Sequence, residues 1–189
     1  MVVPSVTEII SPLTAGKYPA NTGVVQQAAA RGTRIHELCA LYDMDALPEE
    51  FEVELVPYVQ AWADFCRDYS PQWLYIEHPM CAGTTVAGTM DRLGLIDGKY
   101  TVVDIKTAQS LDRPAKLALS CQLYAYQKLA RQNALYRYSD PEDSFGVQLL
   151  KTGDYRIYRR ADIEEKYRFD SGTLFPDLLD IYNVVKGRN

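Results

Sequence analysis

No stretch of this 189-residue chain approaches the roughly 20 consecutive apolar residues that span a bilayer, so no membrane association is expected. The opening residues Met1-Val2-Val3-Pro4-Ser5 carry neither a basic region nor a long apolar run. They do not read as a signal peptide, and the expected address is the cytoplasm. Cysteine is sparse. Cys39, Cys66, Cys81 and Cys121 are separated by 27, 15 and 40 residues, with no CxxC pair. That spacing argues against a zinc ribbon, a closely spaced iron–sulfur set and a disulfide-stapled miniprotein; isolated buried thiols are expected instead. Positive charge is not in excess either. The 25 acidic and 20 basic residues leave a formal charge of −5, which argues against a protein that coats nucleic acid by charge alone. Internal repeats and low-complexity tracts are missing, so fibres and disordered tails are excluded.

What is present is an ordinary globular composition, 47% apolar and 24% charged, long enough to bury a sizeable core. The charge is uneven: residues 1–99 hold 6 basic and 13 acidic side chains, and residues 100–189 hold 14 and 12. Arg156, Arg159, Arg160, Lys166 and Arg168 fall close together, either as a solvated face or as a strip that meets phosphates.

Residues 4–22, rich in Pro, Thr, Ser and Gly, read as an irregular lead-in that ends in an Asn21-Thr22 helix cap. Val24, Val25, Ala28, Ile35, Leu38, Cys39 and Tyr42 then recur at helical spacing over residues 23–42. A second helix is predicted over about 53–69, with Pro57 in its first turn, where a missing N–H does no harm. The texture then turns aromatic and β-branched. Strands are predicted over 73–80, 85–96 and 100–107, the last two joined by Asp97-Gly98, a strong hairpin signal. A long helix follows from Pro114 to about Gln132. A second hairpin spans 145–151 and 155–160 around Thr152-Gly153, and a final helix covers 163–185 with a break at Gly172 or Pro176. The order α-α-β-β-β-α-β-β-α implies an α/β or α+β fold with a mixed sheet flanked by helices. One domain over 1–189 is expected: an N-terminal helical part (1–72), a sheet (73–160) with its crossing helix (114–132), and a C-terminal helix (161–189).

The central hairpin permits a deduction about chemistry. If Asp97-Gly98 is a two-residue loop, Ile96 faces Lys99, and counting outward brings Asp91 opposite Asp104. Opposed side chains share a face with β-carbons about 5 Å apart, where two like charges repel. Such a pair serves no structural purpose unless a cation sits between them. Lys106 projects from the same face two residues further on, opposite Thr89. Two carboxylates and an ammonium suit a hard divalent cation with a proton-handling group beside it. The plain alternative is a surface hairpin whose Lys106 merely pairs with Asp104.

These residues resemble a known family. Gly88-Thr89-Met90-Asp91-Arg92, Asp104-Ile105-Lys106-Thr107 and the Gln122-to-Tyr126 segment look like the core of the PD-(D/E)XK nuclease superfamily, closest to its RecB-type branch. Arg31-Gly32-Thr33-Arg34-Ile35-His36 matches that branch's upstream helical element, Ser5-Val6-Thr7 its opening Ser-x-Thr, and Glu77 its acidic residue on the first strand. The likeness spans roughly residues 5–126; short phage nucleases and mitochondrial genome-maintenance exonucleases share the layout. It implies a restriction-endonuclease-like core with a mixed sheet of about five strands. It also implies a divalent-metal-dependent DNA exonuclease in recombination, repair or phage DNA processing, in a prokaryotic or phage-infected host cell.

By this resemblance, Lys106, Asp91, Asp104 and Glu77 are the catalytic set. His36, Asp91, Asp104 and the Ile105 carbonyl hold Mg²⁺ or Mn²⁺, and no iron–sulfur cluster is expected. Gln122, Tyr126, Thr107 and Arg34 meet nucleic acid, single-stranded or with free ends. Gly32 lies one turn before His36 and leaves room for an ion or phosphate. Arg92, next to Asp91, is expected on the opposite face as a structural ion pair, and His78 is peripheral. A homo-oligomer or a helicase or recombinase partner is plausible on the same grounds. A structure-specific or restriction-type endonuclease, a non-catalytic DNA-end-binding subunit, and an enzyme of small phosphoesters are the competing readings.

Overall fold

Ser5 and Glu8 close a capping box near the start of the chain. Ser5 Oγ accepts the Glu8 N–H at 3.2 Å, and Glu8 Oε2 accepts the Ser5 N–H at 2.8 Å. The short helix α1 (Val6–Ile10) begins there, inside a stretch whose composition reads as irregular. The Ser-x-x-Glu spacing was the signal for it. The computed structural model describes residues 3–15, 23–137, 139–140 and 142–187; the expected Asn21-Thr22 cap lies outside them.

Helices α2 (Gly23–Asp43) and α3 (Val56–Tyr69) follow, with Pro57 in the first turn of α3 as its missing donor requires. Strands β1 (Gln72–Ala82), β2 (Val86–Ile96) and β3 (Lys99–Lys106) form a meander. Helix α4 (Arg113–Gln132) carries the chain over to β4 (Glu142–Leu149), which lies parallel to β3, and β5 (Tyr155–Arg159) closes the sheet. The strand order is β1-β2-β3-β4-β5, antiparallel except for β3 and β4. This mixed five-stranded α/β sheet flanked by helices matches the expected fold class. The last helical region breaks earlier than expected. Helix α5 (Arg160–Tyr167) ends at Arg168, which takes a left-handed φ of 53°, and α6 (Ser171–Val185) starts afresh with Asp170 as its cap. Gly172 and Pro176 both lie within α6.

Two cores cover the two faces of the sheet. Ile35, Leu38, Trp62 and Phe65 of α2 and α3 pack on Val103, Ile105, Phe145 and Val147. Leu119, Leu123, Tyr126 and Leu129 of α4, joined by α1 and α6, pack on Met80, Met90 and Val102. Ile105 thus points into the α2/α3 core, as alternation from Asp104 requires. The cysteines depart in part from expectation. Cys39 and Cys121 are buried, but Cys66 is half-buried and Cys81 exposed, and none is paired. The basic strip is partly spent: Arg159 pairs with Asp143, and Arg160 pairs with Glu164 at 3.0 Å. Among the described residues no helix is long and apolar enough to cross a membrane.

Close packing of β1 on β2 depends on Gly94. A Cβ there would lie 2.6 Å from the Gln72 carbonyl oxygen and 2.7 Å from the Trp73 ring. Because one obstacle is backbone, Gly94→Ala is expected to destabilise the protein by about 1–3 kcal/mol. Urea unfolding checks this; an unchanged midpoint would mean the strands can part without cost.

Candidate active site

The Asp97-Gly98 turn carries φ values of 50° and 73°, both positive as a two-residue hairpin loop demands. From Ile96–Lys99 the pairing runs in the expected register to Arg92–Val103, and there it stops. Beyond that pair β3 stays with β4 and β2 stays with β1, so the middle strands part at Asp91. On the far side of the parting, Ser5 bridges to Ala87, and the Ala87 N–H donates to the Pro4 carbonyl at 2.9 Å. The site lies in this fork. Thr89, expected opposite Lys106, pairs instead with Pro79 on β1.

Asp91 spans the fork: its Oδ2 accepts the Ile105 N–H at 2.7 Å. The Lys106 ammonium lies 2.8 Å from Asp104 Oδ2 and donates to Gln122 Oε1 at 2.9 Å. Gln122 Nε2 donates in turn to the Tyr126 hydroxyl at 3.2 Å, so the two residues one turn apart on α4 act as one face. Gly88 has a steric purpose here. A Cβ at that position would lie 2.8 Å from Tyr126 Cε1 and 3.3 Å from Val6, so glycine lets the tyrosine ring seat against β2.

His36 reaches in from α2, with Nδ1 3.5 Å from Asp91 Oδ2 and 4.0 Å from Glu77 Oε1. Ligand atoms of His36, Glu77 and Asp91 lie within 4.8 Å of one another. Glu77 holds a left-handed φ of 47° within β1, between the pairs Ile76–Arg92 and His78–Met90. Met90 and Leu93 both reach the α4-side core although three residues apart, so the alternation of β2 slips beside Asp91.

The structure therefore brings His36, Glu77, Asp91, Asp104, Lys106, Gln122 and Tyr126 into one neighbourhood, but not in the expected grouping. Glu77 joins His36 and Asp91, while the Asp104 carboxylate turns to Lys106. Arg34 lies elsewhere. Two residues along a helix turn it about 200° from His36, and its guanidinium pairs with Glu37 and Glu52. The room expected at Gly32 is taken by Thr107, whose Oγ1 lies 3.3 Å from a would-be Cβ. Thr107 thus serves the seat of α2 on the loop after β3. The His78 ring packs tilted against Tyr75, with centroids 4.7 Å apart, and stays peripheral. Arg92 is the buried ion pair expected of it, held by Asp43 and Glu77; Asp43, at the end of α2, gave no signal in the sequence.

The family model of the PD-(D/E)XK nuclease superfamily matches residues 24–180. The chain belongs to that superfamily. A search of curated proteins finds no match. Membership implies a divalent-metal-dependent nuclease whose substrate is DNA. The residues fit such an ion. The donors are hard carboxylate oxygens and one imidazole, with one ligand atom each from His36, Glu77 and Asp91 within 4.8 Å of one another.

The electrostatics of this PD-(D/E)XK site separate its two central acids. Burial drives the Asp104 carboxyl up to about 6, against the pull of Lys106. Burial also opposes ionisation of Asp91, but His36, Lys106 and the Ile105 N–H outweigh it and hold that carboxyl below its usual range. Burial would lower Lys106 and His36, yet the facing carboxylates raise both. Lys106 is therefore an ammonium at neutral pH, a donor and not a base.

A raised carboxyl means that the folded state holds its proton more tightly than the unfolded chain does. In metal-free protein the Asp104 contribution to stability is present near pH 4 and is lost as pH rises through about 6. Asp104→Asn is therefore expected to gain stability relative to the parent between pH 4 and 7.5, on the order of 2 kcal/mol. Urea unfolding in chelator at several pH values measures the difference; a pH-independent difference would contradict the raised carboxyl.

Proposed function

We propose that the protein is a RecB-type DNA exonuclease that uses Mg²⁺ or Mn²⁺ to hydrolyse phosphodiester bonds from DNA ends, in recombination, repair or phage DNA processing. The observation that carries this reading is the continuous chain from Asp104 through Lys106 and Gln122 to Tyr126, which ties the carboxylate site to the QxxxY face. The branch is supported by a cavity of about 490 Å³ beside Asp91 lined by Ser5, Thr7, Gly88, Thr89, Gln122 and Tyr126, residues from three separate RecB-type elements. The reading extends to work in the cytoplasm of a prokaryotic or phage-infected cell, as a homo-oligomer or beside a helicase or recombinase.

In this reading His36, Asp91, Asp104 and the Ile105 carbonyl would hold the ion, with Glu77 at its edge. A divalent ion there acidifies water and offsets charge that builds on the scissile phosphate. Lys106, fixed between Asp104 and Gln122, donates to the attacking water and orients its lone pair toward phosphorus. The water oxygen bonds to phosphorus and releases a proton to solvent as the P–O3′ bond breaks, and the departing O3′ takes up a proton from solvent, leaving a 5′-phosphate and a 3′-hydroxyl. Gln122 and Tyr126 face the DNA strand and keep Lys106 from turning wholly onto Asp104. The acidic donor set needs its ion before an anionic strand can settle there.

Lys106→Ala and Asp104→Ala are each expected to lower DNA cleavage at least about a hundredfold, the usual worth of a positioned proton donor or electrostatic group. EDTA is expected to abolish cleavage and Mn²⁺ or Mg²⁺ to restore it. End-labelled linear DNA should be degraded while a covalently closed circle stays intact. Cutting of the circle would favour an endonuclease, and full activity in Lys106→Ala would overturn the catalytic assignment.

A further inference from the structure

Arg92 is among the largest fully buried side chains of the protein, and it carries a charge. Removing a guanidinium from water is costly unless its donors are met; here Nε and Nη1 are met, while the buried Nη2 has no hydrogen-bond partner among the described residues. Its Nε donates to Asp43 Oδ2 at 2.6 Å. Its Nη1 donates to Glu77 Oε1 at 2.9 Å and to the Asp91 carbonyl oxygen at 2.7 Å. The Trp62 ring lies 5.5 Å from its Cζ.

Asp43 is itself immobilised. Its Oδ1 accepts the indole N–H of Trp62 at 2.9 Å and that of Trp73 at 3.0 Å, and the Cys66 thiol also donates to it. Both carboxylate oxygens of Asp43 are thus engaged, and the Arg92 fork has a fixed root in the α2/α3 core. At its other end stands Glu77, whose left-handed φ of 47° is unfavourable for a residue with a Cβ. Strain of that kind persists only where the surroundings enforce it, and Glu77 is held by the strand pairs on either side of it and by the bond from Arg92. The bond uses part of the carboxylate's acceptor capacity and leaves the rest free.

We propose that Arg92, seated by Asp43 and two indoles, is a positioning residue of the cation site, holding the Glu77 carboxylate and the Asp91 backbone at a separation that a divalent ion can bridge. This rests on the proposed function, in which His36 and Asp91 are among the residues that hold the ion and Glu77 stands at its edge. The role needs a guanidinium. A planar fork reaches Asp43 with one nitrogen and Glu77 with another, whereas the single ammonium of lysine cannot span both. If Arg92 only neutralised Asp43, lysine would replace it without consequence for the ion.

The test is Mn²⁺ binding to the intact chain without DNA, followed by calorimetry, with circular dichroism as the check on folding. Arg92→Lys is expected to bind Mn²⁺ about 10- to 100-fold more weakly than the parent, the usual effect of losing a group that orients a ligand. Glu77→Gln should weaken binding as well, and adding Arg92→Lys to it should weaken binding by clearly less than Arg92→Lys does alone, because part of its effect runs through Glu77. Should Arg92→Lys fail to fold, Asp43→Asn, which keeps the shape but gives up the charge that seats Nε, must show the same weakening. Parent-like affinity in a folded Arg92→Lys or Asp43→Asn, or full additivity in the double variant, overturns the positioning role while the site itself stands. Absence of Mn²⁺ binding by the parent overturns both.

Discussion

The hydrogen bond from the Ile105 N–H to Asp91 Oδ2 is the contact on which the site depends. Two antiparallel strands that part leave backbone groups without partners, and such groups are costly once buried. Here a carboxylate meets the donor, so β2 and β3 separate without leaving it unsatisfied. The same bond fixes Asp91 and favours its charged form. Ladder, fork and anionic centre are thus one arrangement.

Around this centre, charge is arranged asymmetrically. Asp91 stays ionised while Asp104, deeper among apolar side chains, resists ionisation. Lys106 is held between that acid and Gln122, and Tyr126 braces Gln122 in turn. Each polar group is oriented by the next, so the ammonium has little freedom before substrate arrives. Such preorganisation means that a small donor set can act without rearrangement during the reaction.

The rear of the site is as ordered as its front. Arg92 connects Glu77 and the Asp91 carbonyl to Asp43, and Asp43 to the aromatic wall of Trp62 and Trp73, whose rings stack with centroids 5.8 Å apart. A charged network inside a hydrophobic layer is a poor way to gain stability. It is a good way to hold one strained acidic residue in one place.

Much of the hairpin was determined by sequence alone, because a strand has a period of two and Asp97-Gly98 admits only a tight turn; together they set which residues face each other as far as Arg92 and Val103. The pairing of Gln122 with Tyr126 followed from helical periodicity in the same way. Local pattern could not carry the rest. Glu77, not Asp104, joins His36 and Asp91, because β1 turns left-handed at Glu77 while Asp104 is drawn to Lys106. Arg34 lies within the recognised motif yet faces away, where it pairs with Glu37 on the helix and Glu52 across the loop. Asp43 belongs to the site through Arg92, a partner 49 residues distant in the chain. Periodicity specifies which face a side chain takes within its own element; which element meets that face is decided only when the two cores close over the sheet.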